Sequence, residues 1–162
     1  MYFKLELKNN KYLISNWVII SPILQMSFAN VTFNDGFDIQ RPKKHTLGEI
    51  TKKDNTDLFH ILVFDSEKEI IGGLFCIPQK KLDDKDFCDL GWFFTSPNLT
   101  MRNRLQIVDA IMNTAHKMIK NMGITKIITE MGTKEGEQLM SKKYGYYHSP
   151  EENHINRWIK DL

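Results

Sequence analysis

The sequence has few cysteines and no long hydrophobic run, and each absence excludes a class of protein. Only two of the 162 residues are cysteine, Cys76 and Cys88, which is too few for a disulfide framework and typical of a reducing compartment. A membrane span needs about 18 apolar residues, but the apolar stretch around Ile20 is interrupted at Pro22. Residues 1–6 lack the apolar core of a signal peptide. These features predict a cytoplasmic protein with no membrane partner.

An excess of one charge is also lacking. Lysine and arginine number 22 and aspartate and glutamate 20, which leaves a net charge of +2, so charge gives no reason to expect a nucleic-acid partner. The five histidines show no paired spacing with the cysteines that is typical of a zinc site. The length suits one domain over residues 1–162.

The first third of the chain has weak patterns. Residues 2–7 alternate between apolar and polar side chains, which predicts an edge strand. Residues 11–29 are apolar enough for one or two short helices, and Pro22 is expected to prevent a single uninterrupted helix. Residues 34–57 are rich in turn formers and poor in apolar side chains, which predicts a loop.

From residue 60 onward the patterns are clearer. Apolar runs at 60–64 and 70–77, separated by a polar turn, predict an antiparallel hairpin, and residues 87–95 predict a third strand. A helix follows, because apolar residues recur at spacings of 4 and 3 along one face. Its members are Met101, Leu105, Val108, Met112, Ala115, Ile119 and Met122.

The end of that helix predicts a strand–helix–strand crossover. Gly123 suits a left-handed helix cap, and residues 125–129 read as a short strand that would pair in parallel with the strand before the helix. A short helix over 136–143 and a final strand within 153–160 complete the predicted order.

This order, with three local motifs, resembles the GNAT-type N-acetyltransferase superfamily. The motifs are Gly-Trp-Phe-Phe-Thr-Ser-Pro at 91–97, Asn-Met-Gly-Ile-Thr-Lys-Ile-Ile at 121–128 and Leu-Met-Ser-Lys-Lys-Tyr-Gly-Tyr at 139–146. The resemblance covers about residues 60–148. It implies an α/β fold similar to that of acyl-CoA N-acyltransferases, with a mixed, partly splayed central sheet. The long helix would follow the central strand, and helices would cover both faces.

The resemblance implies acetyl-coenzyme A as cosubstrate, with pantetheine along Phe94, Thr95 and Ser96. Its pyrophosphate would lie over the start of the long helix, at Thr100, Met101, Arg102, Asn103, Arg104 and Leu105. The family's loop pattern Arg/Gln-x-x-Gly-x-Gly/Ala is degenerate here, since Thr100, Asn103 and Leu105 occupy its fixed positions. Asn103 tolerates unusual backbone angles, and Leu105 is expected to turn into the core as part of the periodic face.

Two arginines in the first turn fit an anion. Cations at a helix N-terminus are disfavoured by about 0.3–1 kcal/mol each, and a bound phosphate would reverse this penalty at Arg102 and Arg104. The alternative is that both side chains point into water or pair with Asp86 or Asp109.

Three residues are candidates for catalysis. Regular alternation would place Asp89, Gly91, Phe93 and Thr95 on one face of their strand. Asp89 lies near the position of the family's strand carboxylate, which accepts a proton from the amine, and the alternative is a solvated carboxylate. Ser141 stands where the family often has a proton-donating tyrosine, so it would need a water relay. Tyr144 is either a substitute donor or a core or rim residue.

The sequence-based hypothesis is transfer of an acetyl group from acetyl-coenzyme A to a primary amine of a small molecule or peptide, by direct attack. The alternative is a catalytically inactive domain of this fold that binds coenzyme A, another ligand or a protein. Both cysteines are expected to be buried and inert and His116 to be solvated. Some relatives are homodimers, and the sequence leaves the oligomeric state open.

Overall fold

The computed structural model describes residues 1–27, 32–34, 38–41, 43–46, 58–78, 86–131 and 133–162. Within them the helices are α1 (Asn10–Ser15), α2 (Trp17–Ser27), α3 (Met101–Asn121) and α4 (Lys134–Tyr144). The strands are β1 (Phe3–Asn9), β2 (Thr32–Asn34), β3 (Asp38–Arg41), β4 (Lys43–Thr46), β5 (Leu58–Asp65), β6 (Ile70–Pro78), β7 (Phe87–Thr95), β8 (Lys126–Glu130), β9 (Tyr147–His148) and β10 (Arg157–Asp161).

Seven strands form the central sheet in the order β1-β5-β6-β7-β8-β10-β9. The pair β7–β8 is parallel and the other neighbouring strands are antiparallel. This arrangement confirms the predicted edge strand, hairpin and third strand, and the crossover through α3. The sheet is therefore mixed, as the resemblance implied.

Helices cover both faces of this sheet, as predicted. On one face α1 and α2 bury Leu13, Trp17 and Leu24 against the sheet residues Leu62 and Phe75. On the other face the apolar stripe of α3 packs against β5 to β8, together with residues of α4. Among the described residues no helix combines the length and the hydrophobicity needed to cross a bilayer.

The predicted stripe of α3 is correct in its centre and wrong in its first turn. Ile107, Val108, Ile111, Met112, Ala115 and Ile119 are buried. Met101 and Leu105 are 65% and 39% exposed, so Leu105 does not turn into the core. The helix begins beyond the end of β7, where it has no sheet to pack against. Gly123 has a φ of 79° and ends the helix as expected.

Two predictions for the first third need correction. Pro22 lies inside α2, and the break between the helices falls at Asn16 instead. The backbone of Asn16 leaves helical geometry at φ −112° and ψ 14°, and its side-chain amide donates to the Tyr12 carbonyl at 2.9 Å. The segment 34–57 was expected to be a loop. Where the structure describes it, residues 38–41 and 43–46 are the strands β3 and β4, and β3 pairs with both β2 and β4 in a second, three-stranded sheet. Residues 35–37, 42 and 47–57 of that segment lie outside the described residues.

Candidate functional site

The strands β7 and β8 separate next to the start of α3. They pair from Phe87 to Leu90, with Leu90 opposite Thr129, and the Thr129 hydroxyl donates a hydrogen bond to the Leu90 carbonyl at 2.9 Å. Beyond this point β7 continues to Thr95, whereas β8 ends at Glu130. The second half of β7 thus has an edge that is not paired with β8.

A β-bulge in β7 lies just beyond this separation. Leu74 is opposite Phe93, and the next residue of β6, Phe75, is opposite Gly91, so β7 carries one extra residue between them. A bulge of this kind bends its strand and changes which face each side chain takes. The extra residue is Trp92.

The bulge overturns the predicted shared face of Asp89, Gly91, Phe93 and Thr95. Gly91 pairs with Phe75, which packs under α1 and α2, so Asp89 and Gly91 point to that side. Phe93 packs with the α3 core, and Phe94 packs under α1 and α2. The prediction failed because it assumed unbroken alternation.

The unpaired edge of β7 offers backbone groups to a ligand. Ser96 donates its amide to the Ile71 carbonyl at 2.9 Å, so this amide is already used. In an antiparallel ladder, hydrogen-bonded pairs alternate with non-bonded pairs. The backbone N–H and C=O groups of Phe94 therefore also point toward β6, and those of Phe93 point toward the opening.

The start of α3 is capped by Thr100, whose hydroxyl accepts a hydrogen bond from the Asn103 amide at 3.2 Å. The first two helical amides, of Met101 and Arg102, have no intrahelical partner, as at any helix start. Arg104 turns back and donates to the Pro97 carbonyl at 3.3 Å. Of the two predicted arginines, Arg102 is exposed beside these amides, whereas Arg104 is held by the turn before the helix.

An open groove of about 510 Å³ runs from the start of α3 to the end of α4. Its cations are Arg102 and Lys143, and Lys143 lies 3.3 Å from an oxygen of Asp109. Neither of the alternative pairings predicted for Arg102, with Asp86 or Asp109, is present among the described ion pairs. The groove is lined by Met101, Arg102, Leu105, Gln106, Asp109 and Lys143.

The two hydroxyls proposed as proton donors are both engaged. Ser141 donates to the Gln138 carbonyl of its own helix at 3.2 Å. Tyr144 is 7% exposed and donates to Asp109 at 2.9 Å. Burial raises the pKa of Tyr144, and the hydrogen bond to Asp109 raises it further. Tyr144 is thus a core residue with a polar tip, one of the two alternatives left open for it.

Beside the separation, Asp89 and Gly91 lie on a face that the described residues leave open. Apart from the two chain neighbours of Gly91, no atom of the described residues lies within 4 Å of the position of a Cβ there, and Asp89 is exposed. Asp89 is opposite Ile128, so Glu130, two residues further along β8, points to the same face. Glu130 binds His154 at 2.9 Å between Oε1 and Nδ1.

Sequence reasoning missed the pair of Glu130 and His154. The two residues are 24 positions apart, and the segment between them folds as α4 and β9. No local spacing signals such a contact. A carboxylate at the predicted end of β8 was the available hint.

Two other predictions can be judged. Cys88 is buried, and burial raises the pKa of its thiol to about 12, which makes it inert as expected; the side chain of Cys76 lies outside the described residues. His116 was expected to be solvated, but it is half-buried and bonds the Tyr146 hydroxyl at 2.8 Å. Burial lowers the pKa of His116 to about 4.

The architecture is similar to that of solved acetyltransferases. PaiA N-acetyltransferase from Thermoplasma acidophilum, in complex with coenzyme A, is matched over 100% of both chains at 14% identity, with a TM-score of 0.64. An acetyltransferase of the GNAT family from Staphylococcus aureus Mu50 is matched over 98% of this chain and 99% of its own, at 13% identity and a TM-score of 0.66.

The ribosomal-protein-S18-alanine N-acetyltransferase from Escherichia coli is also similar, over 99% of this chain and 94% of its own, at 8% identity and a TM-score of 0.65. No family model and no curated protein matches the sequence. The chain has the fold of the GNAT acetyltransferases, as the sequence motifs implied.

Proposed function

We propose that this chain is an acyltransferase that moves an acetyl group from acetyl-coenzyme A to a primary amine. The observation that carries the proposal is the opening between β7 and β8 beside the start of α3. This geometry belongs to a fold that includes a complex with coenzyme A. Acceptors of the predicted class are small molecules or peptides.

The residues around the opening fit such a cosubstrate. The backbone of Phe93 at the unpaired edge can hydrogen-bond an extended amide chain. Phe93 therefore replaces the predicted contacts Phe94 and Ser96, whose backbones face β6. The free amides of Met101 and Arg102 and the Arg102 guanidinium suit a pyrophosphate. Asn103 and Leu105 stand in place of the family's glycines, and Leu105 lines the groove beside these amides. Thr95, Thr100 and Arg104 remain predicted contacts.

The chemistry would be direct attack of the amine on the thioester that the cosubstrate supplies. Asp89 faces the opening on the side of α1 and α2 and attracts the acceptor's ammonium group. In the sequence-based hypothesis Asp89 is also the base that removes a proton from the amine. The space at Gly91 admits the acceptor close to the strand.

Replacing Arg102 with alanine should weaken coenzyme A binding about tenfold, because one charge-assisted contact to phosphate is worth about 1.4 kcal/mol. The effect should shrink as salt is raised, since the groove is open to solvent. Isothermal titration calorimetry at low and high salt measures both. Lys117→Ala is the matched control, since Lys117 is an exposed cation on the same helix outside the groove; equal losses in the two variants would contradict the assignment.

Replacing Tyr144 with phenylalanine should leave turnover within about twofold of the wild type and lower the free energy of unfolding by about 1 kcal/mol, the usual worth of one hydrogen bond. The reason is that its hydroxyl proton is held by Asp109. A loss of turnover of about 100-fold with unchanged coenzyme A affinity would instead make Tyr144 the proton donor to the thiolate. Ser141 through a water relay stays a prediction, tested in parallel by Ser141→Ala.

Release of free thiol from acetyl-coenzyme A with a panel of primary amines tests the proposal directly. Turnover with at least one amine supports it. Binding of coenzyme A, seen as a rise in melting temperature, without thiol release would favour the inactive binding domain. The observation that favours the inactive domain is that the Ser141 hydroxyl is already hydrogen-bonded within its own helix. If coenzyme A does not bind and no thiol is released, both the acyltransferase and the inactive coenzyme A-binding domain are contradicted.

A further inference from the structure

The contact between His154 and Glu130 has the form of an oriented base. A carboxylate only accepts hydrogen bonds, so the proton of the imidazole lies on Nδ1, which is 2.9 Å from Glu130 Oε1. The lone pair is therefore on Nε2, and the ring is 57% exposed. A histidine held in one tautomer by a carboxylate, with its other nitrogen free to accept a proton, is the arrangement of a general base.

The position of this pair connects it to the candidate site. Glu130 is the last residue of β8 and lies one residue beyond Thr129, the last residue paired with β7. It points to the same face as Asp89 and Gly91, the face on which the space at Gly91 is open. The side chain of Glu130 therefore links His154 to the point where β7 and β8 separate.

We propose that His154 is the base that deprotonates the acceptor amine, that Glu130 positions it, and that Asp89 holds the incoming cation. This inference rests on the proposed acyl transfer and changes the role given to Asp89. Imidazole suits the proton transfer better than an ordinary carboxyl group, because its usual titration range lies close to neutral pH.

The proposed transfer moves two protons, forms one bond and breaks another. The ammonium group gives one proton to Nε2 of His154, and the neutral amine attacks the thioester carbon. A carbon–nitrogen bond forms and the carbon–sulfur bond breaks. The second nitrogen proton goes to the departing thiolate, and His154 then releases its proton to solvent. No side-chain acid is needed, which agrees with the engaged hydroxyls of Ser141 and Tyr144.

Other charged groups lie on the strands next to the contact between His154 and Glu130. Glu130 is on β8, Asp89 is on β7, and Arg157 at the start of β10 is opposite Glu130 and pairs with Glu151. Glu151 also exchanges backbone hydrogen bonds with His154.

The test is the pH profile of kcat/KM for a reactive primary amine, from pH 6 to 10, in wild type, His154→Gln and Glu130→Gln. In His154→Gln we expect a loss of about 100-fold at pH 7. The loss should shrink as pH rises, because the amine then loses its proton to water. Glu130→Gln should lose about tenfold at pH 7, because the ring is less well oriented, and this loss should also shrink as pH rises.

The matched control is Glu152→Gln, which removes an exposed carboxylate from the same turn and should keep the wild-type profile. Coenzyme A affinity and melting temperature should be unchanged in all variants, which separates chemistry from folding. A wild-type profile in His154→Gln would overturn this inference while leaving acyl transfer intact. Absence of thiol release from the wild type with every amine would overturn the proposed function itself.

Discussion

Replacing Gly73 with alanine should lower the free energy of unfolding by about 3 kcal/mol, at the upper end of the usual cost of overpacking a core. A Cβ there would lie 2.8 Å from the Ile61 carbonyl oxygen and 2.7 Å from the Phe94 ring. The carbonyl belongs to the paired strand β5 and cannot move without breaking the ladder. For a chain of this length we expect a fall in melting temperature of about 9 °C.

Two other glycines of the same sheet supply a graded control. At Gly72 the nearest atom is a side-chain methyl of Ile107, at 2.9 Å, so Gly72→Ala should cost less than Gly73→Ala. At Gly91 the described residues leave the surrounding space open, so Gly91→Ala should stay within about 0.5 kcal/mol of the wild type. Urea unfolding of the three variants measures the series. A Gly73→Ala protein as stable as Gly91→Ala would show that the packing around β6 is not as described.

Acidification from pH 7.5 to 4 should remove about 3 kcal/mol of stability through His60 alone. His60 is fully buried on β5, and burial lowers its pKa from 6.5 to about 4. The folded state therefore binds the proton less readily than the unfolded state. The stability is complete above pH 6.5, falls as pH drops below it, and is lost once pH falls through 4. His116, half-buried, contributes in the same direction.

Urea unfolding across this pH range in wild type and His60→Gln measures the contribution. In the wild type, the Asn10 side chain accepts a hydrogen bond from His60 at 2.6 Å. Glutamine keeps an N–H group for this contact, but glutamine does not titrate. The variant should have a shallower pH dependence than the wild type, by about 3 kcal/mol between the two ends. Parallel curves would mean that His60 is accessible to protons in the folded state.

Most of the central fold was predictable because its signals are local. The spacing along α3, the turn between β5 and β6 and the cap at Gly123 each depend on residues close in sequence. The errors arose where tertiary contacts decide. Pro22 is tolerated in a helix whose buried face is held by Trp17 and Leu24, so packing outweighs the lost hydrogen bond.

The candidate site was less predictable, for the same reason. Asp89 and Arg102 could be proposed from the sequence because they lie beside elements that the sequence marks clearly. The face of Phe93 depends on a bulge that only strand pairing reveals. His154 meets Glu130 through the fold of α4 and β9 between them, and the turn that carries it has no distinctive composition.

The bulge at Trp92 has an evolutionary consequence. Deletion of that single codon would leave Leu90 and Phe93 on the faces they now occupy, so both hydrophobic cores would survive. The shortened strand would be regular and free to extend its ladder along β8, sealing the gap between them. If the proposed acyl transfer uses this gap, one in-frame deletion that improves strand pairing would abolish the transfer while the fold is kept.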